Sequence, residues 1–261
     1  MILSLAGKRA VICGSTQGIG KAIAEAFATS GADCVLIARN EVTLNEVKNN
    51  LPASDGQQHH TVVADFADFT QIQFAIKEIL AIGDVDILVN NTGGPKPGPI
   101  IDVAPEEFVK AFQQHLVCNQ LLVQGFVPGM KRKRFGRIIN IISTSVRIPL
   151  PNLGASNTIR AAVASWAKTL SNEIGQYNIT VNNILPGFTE TARLTSLIAN
   201  ISRNTGISEN EVIANMKKEI PMRRFGMASE LAALATFLAS PAASYITGTS
   251  IPVDGGRTGI V

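Results

Sequence analysis

The chain has 261 residues, 46% of them hydrophobic and 16% charged, with a formal net charge of +3. Such a composition supplies a sizeable core and excludes a largely disordered chain, and the small charge gives no reason to expect a nucleic-acid or membrane-surface partner. Three cysteines, Cys13, Cys34 and Cys118, sit in apolar runs; their odd count and spacing argue against a disulfide framework and match no metal site, so buried reduced thiols and no metal are expected.

The N-terminal stretch MILSLAGKRAVICG lacks a basic segment followed by a long apolar one, and no run is long enough to span a membrane. No signal peptide is expected, and the cytoplasm is the expected compartment. Apolar runs of strand length then alternate with helical patterns. RAVICG (9–14) predicts a strand, followed by a helix over about 18–30. CVLIA (34–38) predicts a second strand, with a helix over about 41–50. HTVVA (60–64) is a third, and a helix over about 70–82 leads into DILVN (86–90). A long helix is expected over roughly 105–132, then a strand at RIINII (137–142), a helix over 156–175, and strands at TVNNIL (180–185) and SIPV (250–253). Near-continuous apolar strands between helices indicate a parallel sheet covered on both faces. The fold class expected is α/β, a Rossmann-type doubly wound sheet in a single domain over residues 1–261.

Two segments stand outside that rhythm. The basic run Lys131–Arg134 reads either as an anion patch or as the solvated C-terminal end of a helix, where cations suit the dipole; the second is expected, with Gly136 as the helix stop. Residues 192–220 are polar and helical and look like a substrate lid. Their cations Arg193, Arg203, Lys217 and Lys218 would meet an acidic substrate or carrier, or form a wet surface, which is the expected role.

CGSTQGIG (13–20) follows the first strand and opens the first helix. Gly14 permits a tight turn, Gly18 lets main chain come close to a pyrophosphate, and Gly20 lets the helix pack closely. The helix N-terminus attracts the anion. Ser15, Thr16, Gln17 and Ile19 complete this candidate dinucleotide turn; a plain loop is the alternative. The second strand ends in Ala38-Arg39-Asn40, without the carboxylate that would hold the ribose 2′-OH of NAD. Arg39 suits a 2′-phosphate, so NADP(H) is favoured and NAD(H) remains the alternative. Asp65, beside Phe66, is placed to accept from an adenine amino group or to cap a helix. In NNTGG (90–94), Asn90 and Gly93 mark where small residues admit the cofactor, or simply a strand-to-loop turn.

Together these motifs resemble the short-chain dehydrogenase/reductase family along essentially the whole chain. NNTGG is similar to its NNAG segment, GRIINIIS to its fifth strand ending in the catalytic Ser, and VNNILPGFTET to its PG loop. IPMRRFGMASELAALATFLASPAASYITGTSIPVDGG is close to the C-terminal third of 3-oxoacyl-[acyl-carrier-protein] reductases. The resemblance implies a seven-stranded parallel sheet, a homotetramer or homodimer, NAD(P)(H), and hydride exchange with a small carbonyl or alcohol, free or carrier-linked. It places Pro186, Gly187, Thr189 and Thr191 over the cofactor. It also implies an Asn-Ser-Tyr-Lys active site, in which the Tyr moves the proton, the Lys lowers the Tyr pKa and holds ribose, the Ser orients the carbonyl, and the Asn positions a helix and a water.

Here the pattern breaks. Ser143 is in place, but the Tyr position holds Ser156, the Lys position Arg160 and the Asn position His115. The two tyrosines, Tyr177 and Tyr245, match structural positions of the family. A Ser hydroxyl is shorter and far less acidic than a phenol, and Arg160 can hold ribose but stays protonated. His115, with an ordinary pKa of about 6.5, is a candidate proton donor, against a space-filling role bonded to main chain. His59 and His60 are expected to be exposed. The chain resembles a branch of the family, similar to 3-oxoacyl reductases, that carries NNTGGP and an SNxxR stretch. Three functions stay open: an NADPH-dependent carbonyl reductase with an altered proton relay, a non-catalytic NADP(H)-binding sensor or partner subunit, and a different reaction in the same pocket, such as elimination or isomerisation.

Overall fold

The computed structural model describes residues 3–54 and 56–259; residues 1, 2, 55, 260 and 261 of the expected domain lie outside it. Strands β1 (Arg9–Cys13), β2 (Asp33–Ala38), β3 (His60–Val63), β4 (Ile87–Asn90), β5 (Gly136–Ile141), β6 (Ile179–Pro186) and β7 (Ser250–Val253) form one sheet in the order β3-β2-β1-β4-β5-β6-β7. Every pairing is parallel. The expected seven-stranded Rossmann sheet and single domain are therefore observed.

Alternation along each strand divides the core into two layers. On β1, Ala10 and Ile12 face a cluster built from helices α1 (Gly18–Thr29), α2 (Glu41–Asn49) and α9 (Ala228–Ala239). Val11 and Cys13 face the other layer, made by α3 (Phe69–Ile82), α5 (Cys118–Lys133) and α6 (Gly154–Ile174). Both faces are dry, which is why the strands read as unbroken apolar runs. One polar thread crosses this sheet. Asn90 donates to Asn140, Asn140 to Asn183, and Asn183 to Ser250, at 2.8, 2.9 and 3.0 Å. These residues lie side by side in register on β4, β5, β6 and β7, so each amide donates to the next residue in the row, and the Asn90 Oδ1 at its start has no partner among the described residues.

Several details differ from expectation. The helix expected over 105–132 is α4 (Pro105–Phe112) and α5, separated by a π-helical turn at Gln113–Val117 that contains His115. The stop after the basic run is Arg134, in the left-handed region at φ 48°, and Gly136 already belongs to β5. The basic run itself is tied down: Arg132 pairs with Asp84 at 2.8 Å, Lys133 with the buried Asp86 at 2.9 Å, and Lys131 lies over the Tyr177 ring. His59 and His60 are half-buried rather than exposed. His59 Nδ1 accepts from the Cys34 main-chain N–H and its Nε2 meets the Pro52 carbonyl, which stitches the loop before β3 to the start of β2. Helix α9 was not foreseen from periodicity. The three cysteines are free and buried as expected, and burial raises their thiol pKa values, to about 12 for Cys34 and Cys118. No described helix is long and apolar enough to cross a membrane.

Residues 192–220 form α7 (Ala192–Thr205) and α8 (Glu209–Lys218). They share a small apolar cluster of Leu194, Ile198, Val212, Met216, Ile220 and Phe225, separate from the two main layers. A capping box at Ser208 and Glu211 starts α8.

Candidate active site and cofactor cleft

A cleft of about 820 Å³ opens at the carboxyl ends of the strands, where the sheet order turns back between β1 and β4. Open α/β sheets place ligands at this point. Its walls run from Arg39 and Asp65 at one end to Ser143, Ser156, Arg193 and Leu197 at the other.

At the first end the surface is largely main chain. Gly14 and Gly18 have φ of +61° and +55°, the left-handed region where a side chain is strained. A Cβ on Gly14 would stand 2.5 Å from the Asn91 carbonyl, and one on Gly18 would point at Thr191, 3.2 Å from its methyl. Thr16, Gln17, Gly18 and Ile19 line the cleft at the start of α1, so main-chain N–H groups and the helix dipole face it. That geometry fits a pyrophosphate. Ser15 and Gly20, also expected to bind the cofactor, do not line the cleft. Ser15 is fully buried, with its hydroxyl directed to the Ile37 carbonyl. A Cβ on Gly20 would lie 2.2 Å from the Gly14 carbonyl, so Gly20 permits the helix to close on the turn, as anticipated, without offering a ligand contact.

Arg39 and Asp65 both line the nucleotide end. Their 3.9 Å ion pair is solvent-exposed, with 76% of the Arg39 side chain accessible, and such pairs hold little energy. Arg39 can therefore turn to a phosphate. Asp65 accepts from the Ala67 N–H at 2.9 Å in a local turn, but the helix that follows is capped by Asp68, not by Asp65. Phe66, Gly93, Pro186, Gly187, Thr189 and Thr191 line the cleft as well. Asn90 does not; it is 3% exposed and belongs to the amide thread. Its neighbour Asn91 takes the place, lining the cleft and donating to the Cys13 and Gly14 carbonyls at 3.2 and 3.3 Å, which braces the glycine turn.

At the other end Ser143, Ser156 and Arg160 meet in one wall. Ser143 Oγ accepts from the Ser145 N–H at 3.0 Å, which leaves its proton free to point outward. Ser156, in the first turn of α6, is 8% exposed, and its hydroxyl makes no hydrogen bond among the described residues. Arg160 follows one turn later on the same helix face. It is 9% exposed, and donates from Nη1 to the Ile141 carbonyl at 2.8 Å and from Nη2 to the Thr92 carbonyl at 3.2 Å. Burial, then the nearby Arg193 charge, lower its pKa to about 10, so it remains a cation at neutral pH.

His115 is buried and does not line the cleft. Burial first, then the charges of Arg160 and Arg193, push its pKa down to about 2. The imidazole is therefore neutral at pH 7, and the expectation of a proton donor titrating near 6.5 is corrected. Its Nδ1 shares a 2.5 Å hydrogen bond with the Thr92 hydroxyl, whereas its Nε2 is buried with no partner among the described residues. Thr92, which sequence reasoning passed over, thus brings a hydroxyl to the cleft with an imidazole behind it. Neither tyrosine reaches the cleft: Tyr177 packs beside Lys131 and Tyr245 is fully exposed. Of the four cations noted in 192–220, only Arg193 turns to the cleft, donating to the Gly94 carbonyl at 3.3 Å.

Residues 14–258 match the family model described as enoyl-(acyl carrier protein) reductase. The chain is 35% identical to the NADPH-dependent reductase BacG of Bacillus subtilis over 251 residues, covering 95% of this chain and 97% of that protein. It is 34% identical to the 3-oxoacyl-[acyl-carrier-protein] reductase FabG of Haemophilus influenzae over 253 residues, covering 96% and 98%. Among solved structures, L-sorbose reductase from Gluconobacter frateurii, complexed with NADPH and L-sorbose, superposes with a TM-score of 0.93 at 33% identity over 100% of both chains. The chain belongs to the short-chain dehydrogenase/reductase family.

Proposed function

We propose that the protein is an NADPH-dependent reductase of a small carbonyl compound with an altered proton relay. The observation that carries this reading is continuity. One cleft joins the glycine turn and Arg39 to Ser143, Ser156 and Arg160, so a nucleotide and a second small molecule have a shared floor. Relatives described as NADPH-dependent or NADPH-bound support the choice of cofactor, as does the absence of a carboxylate at the end of β2.

NADPH, when bound, supplies a hydride. The glycine turn and the N-terminus of α1 would hold its pyrophosphate, Arg39 a 2′-phosphate, Asp65 the adenine, and Thr189 and Thr191 the other side. The Ser143 and Ser156 hydroxyls can donate to a carbonyl oxygen. The fixed Arg160 charge favours negative charge developing there, because its two main-chain bonds hold it in place without reorganisation. The proton reaches that oxygen through the Ser156 hydroxyl or a water beside it. Without a phenol this step is slow, by about 10²–10⁴ relative to a well-placed general acid. Thr92, backed by neutral His115, is a further hydroxyl at the same wall. α7 and α8 act as the substrate lid, their separate small core allowing them to shift as a unit.

NADPH oxidation against a panel of ketones, aldehydes and oxo acids tests this reading. Turnover of any of them supports it. Saturable NADPH binding with no substrate consumed, by nucleotide absorbance and by product analysis, would replace it with the non-catalytic binding reading, which the lack of a phenol in the cleft favours. The buried free thiols fit a reducing compartment, and we place the protein in the cytoplasm. The exposed Phe74 on α3 and Val109 and Phe112 on α4 are apolar surface consistent with a homotetramer or homodimer.

A further inference from the structure

The substrate end of the cleft carries more positive charge than the chain itself balances. Arg160, Arg193, Lys96 and Lys110 all line it, against a single carboxylate, Glu107. Among the described residues none of these five takes part in an ion pair. Arg257 also lines the cleft, but Glu219 neutralises it at 2.7 Å.

The two arginines stand apart from the lysines. Arg160 is buried, and its only hydrogen-bond partners among the described residues are carbonyl oxygens. Arg193 lies in the first turn of α7, and its guanidinium reaches back across the opening to the Gly94 carbonyl. The fit there is close: a Cβ on Gly94 would stand 2.8 Å from Arg193 Nη2. Part of the Arg193 side chain stays in solvent, open to an arriving molecule. The first turn of a helix is a poor place for a cation, because the dipole there is already positive. Arg160 and Arg193 donate to the carbonyls of Thr92 and Gly94, two residues apart, and among the described residues no carboxylate pairs with either, so their like charges oppose one another. An anion bound at this end would satisfy both.

From this we infer that the substrate carries a carboxylate, received by Arg193 with Arg160 behind it, so that the protein acts on oxo acids rather than neutral ketones. A planar guanidinium matches a carboxylate with two parallel hydrogen bonds. Lys96 and Lys110, on the rim, add attraction at longer range. The cofactor's pyrophosphate is the other anion that enters this cleft. It is placed at the glycine turn, whereas Arg160 is anchored to the end of β5 beside Ser143 and Ser156, on the substrate side. The inference rests on the reading of the cleft as a carbonyl site.

Binding is the readout, so that it can fail separately from turnover. Protein saturated with NADP⁺, which has no hydride to give, is titrated by calorimetry with 2-oxohexanoate and, in parallel, with methyl 2-oxohexanoate, which has the same carbonyl and no charge. The acid is expected to bind about tenfold more tightly or better, the worth of one charged hydrogen-bonded contact. Arg193→Ala is expected to bring acid and ester level while the NADPH dissociation constant moves less than about twofold, and Arg193→Lys to restore part of the preference. Intact NADPH binding reports that each variant has folded. Equal affinity for acid and ester in the unaltered protein overturns the inference. So does an Arg193→Ala variant that weakens NADPH as much as the acid, which would assign Arg193 to the pyrophosphate. If the acid binds selectively and NADPH is never oxidised, the carboxylate site at Arg193 stands, while the action on oxo acids falls together with the reductase reading.

Discussion

At the Gly14 end of the cleft the main chain makes the surface, and at the Ser156 end side chains do. A main-chain site needs only residues that permit its shape, so Gly14, Gly18 and Gly20 suffice, and replacing any of them meets the Asn91 carbonyl, Thr191 or the Gly14 carbonyl. A side-chain site depends on the identity of each group. There Ser156 and Arg160 stand one turn apart on α6, and no tyrosine lines the cleft beside them. The comparison teaches that nucleotide binding and proton transfer are separable in this fold. On the proposed reading, backbone geometry holds the nucleotide whichever side chains stand at the proton-transfer end.

The strongest test of that separation is the double change Ser156→Tyr, Arg160→Lys. If the frame is intact, turnover of simple ketones rises by about 10²–10⁴, the usual worth of a general acid, with NADPH affinity little altered. No gain in steady-state rate would mean that the wall around Ser143 has also diverged. Next in size, Gly20→Ala drives a methyl into the Gly14 carbonyl, which must move. A loss of about 3 kcal/mol in chemical denaturation is expected, together with loss of NADPH binding, while the Ser156 end keeps its contacts. An unchanged midpoint would contradict the close packing of α1 on the turn.

His115 sharpens the comparison through pH. Its folded pKa, about 2, lies below the unfolded value near 6.5, so the folded state favours the neutral ring. The stability this contributes is full above pH 6.5 and is lost as pH falls from there towards 2. Each unit in that window costs about 1.4 kcal/mol, so about 2 kcal/mol should disappear between pH 6.5 and 5. Denaturant titrations of His115→Asn should show a correspondingly flatter profile. Parallel profiles for the two proteins would place the ring in solvent instead. The smallest effect belongs to the exposed Arg39: Arg39→Ala should weaken NADPH about tenfold and leave NADH nearly unchanged, as read by nucleotide fluorescence.

Much of this architecture was legible because burial on both faces writes itself into composition. Strands such as CVLIA and DILVN have no polar face to confuse their reading, and each became a strand within a residue or two of its expected bounds. Helix α9, ASELAALATFLA, escaped because it is apolar nearly all round, packed on the sheet beside α1, and so lacks a helical polar stripe. The π-turn at Gln113–Val117 left no compositional mark, since it shifts a hydrogen-bond ladder without changing residue types. In the Asn90-Asn91 pair the type was readable and the direction was not. Neighbouring residues at a strand end point opposite ways, and only the register with Asn140 sends Asn90 into the sheet and leaves Asn91 for the cleft. The fate of His115 was hidden for a similar reason: its proton affinity depends on burial and on Arg160 and Arg193, both of them distant in sequence. Arg193 read as one more surface cation among four, and only its reach to Gly94 separates it from Arg203, Lys217 and Lys218.

The most direct measurement is a fluorescence titration of the purified protein with NADPH, with NADH alongside. The account predicts saturable NADPH binding in the micromolar range or tighter, with NADH clearly weaker, because the glycine turn and Arg39 are intact whatever happened at Ser156. No binding of either nucleotide, or a preference for NADH, would contradict it.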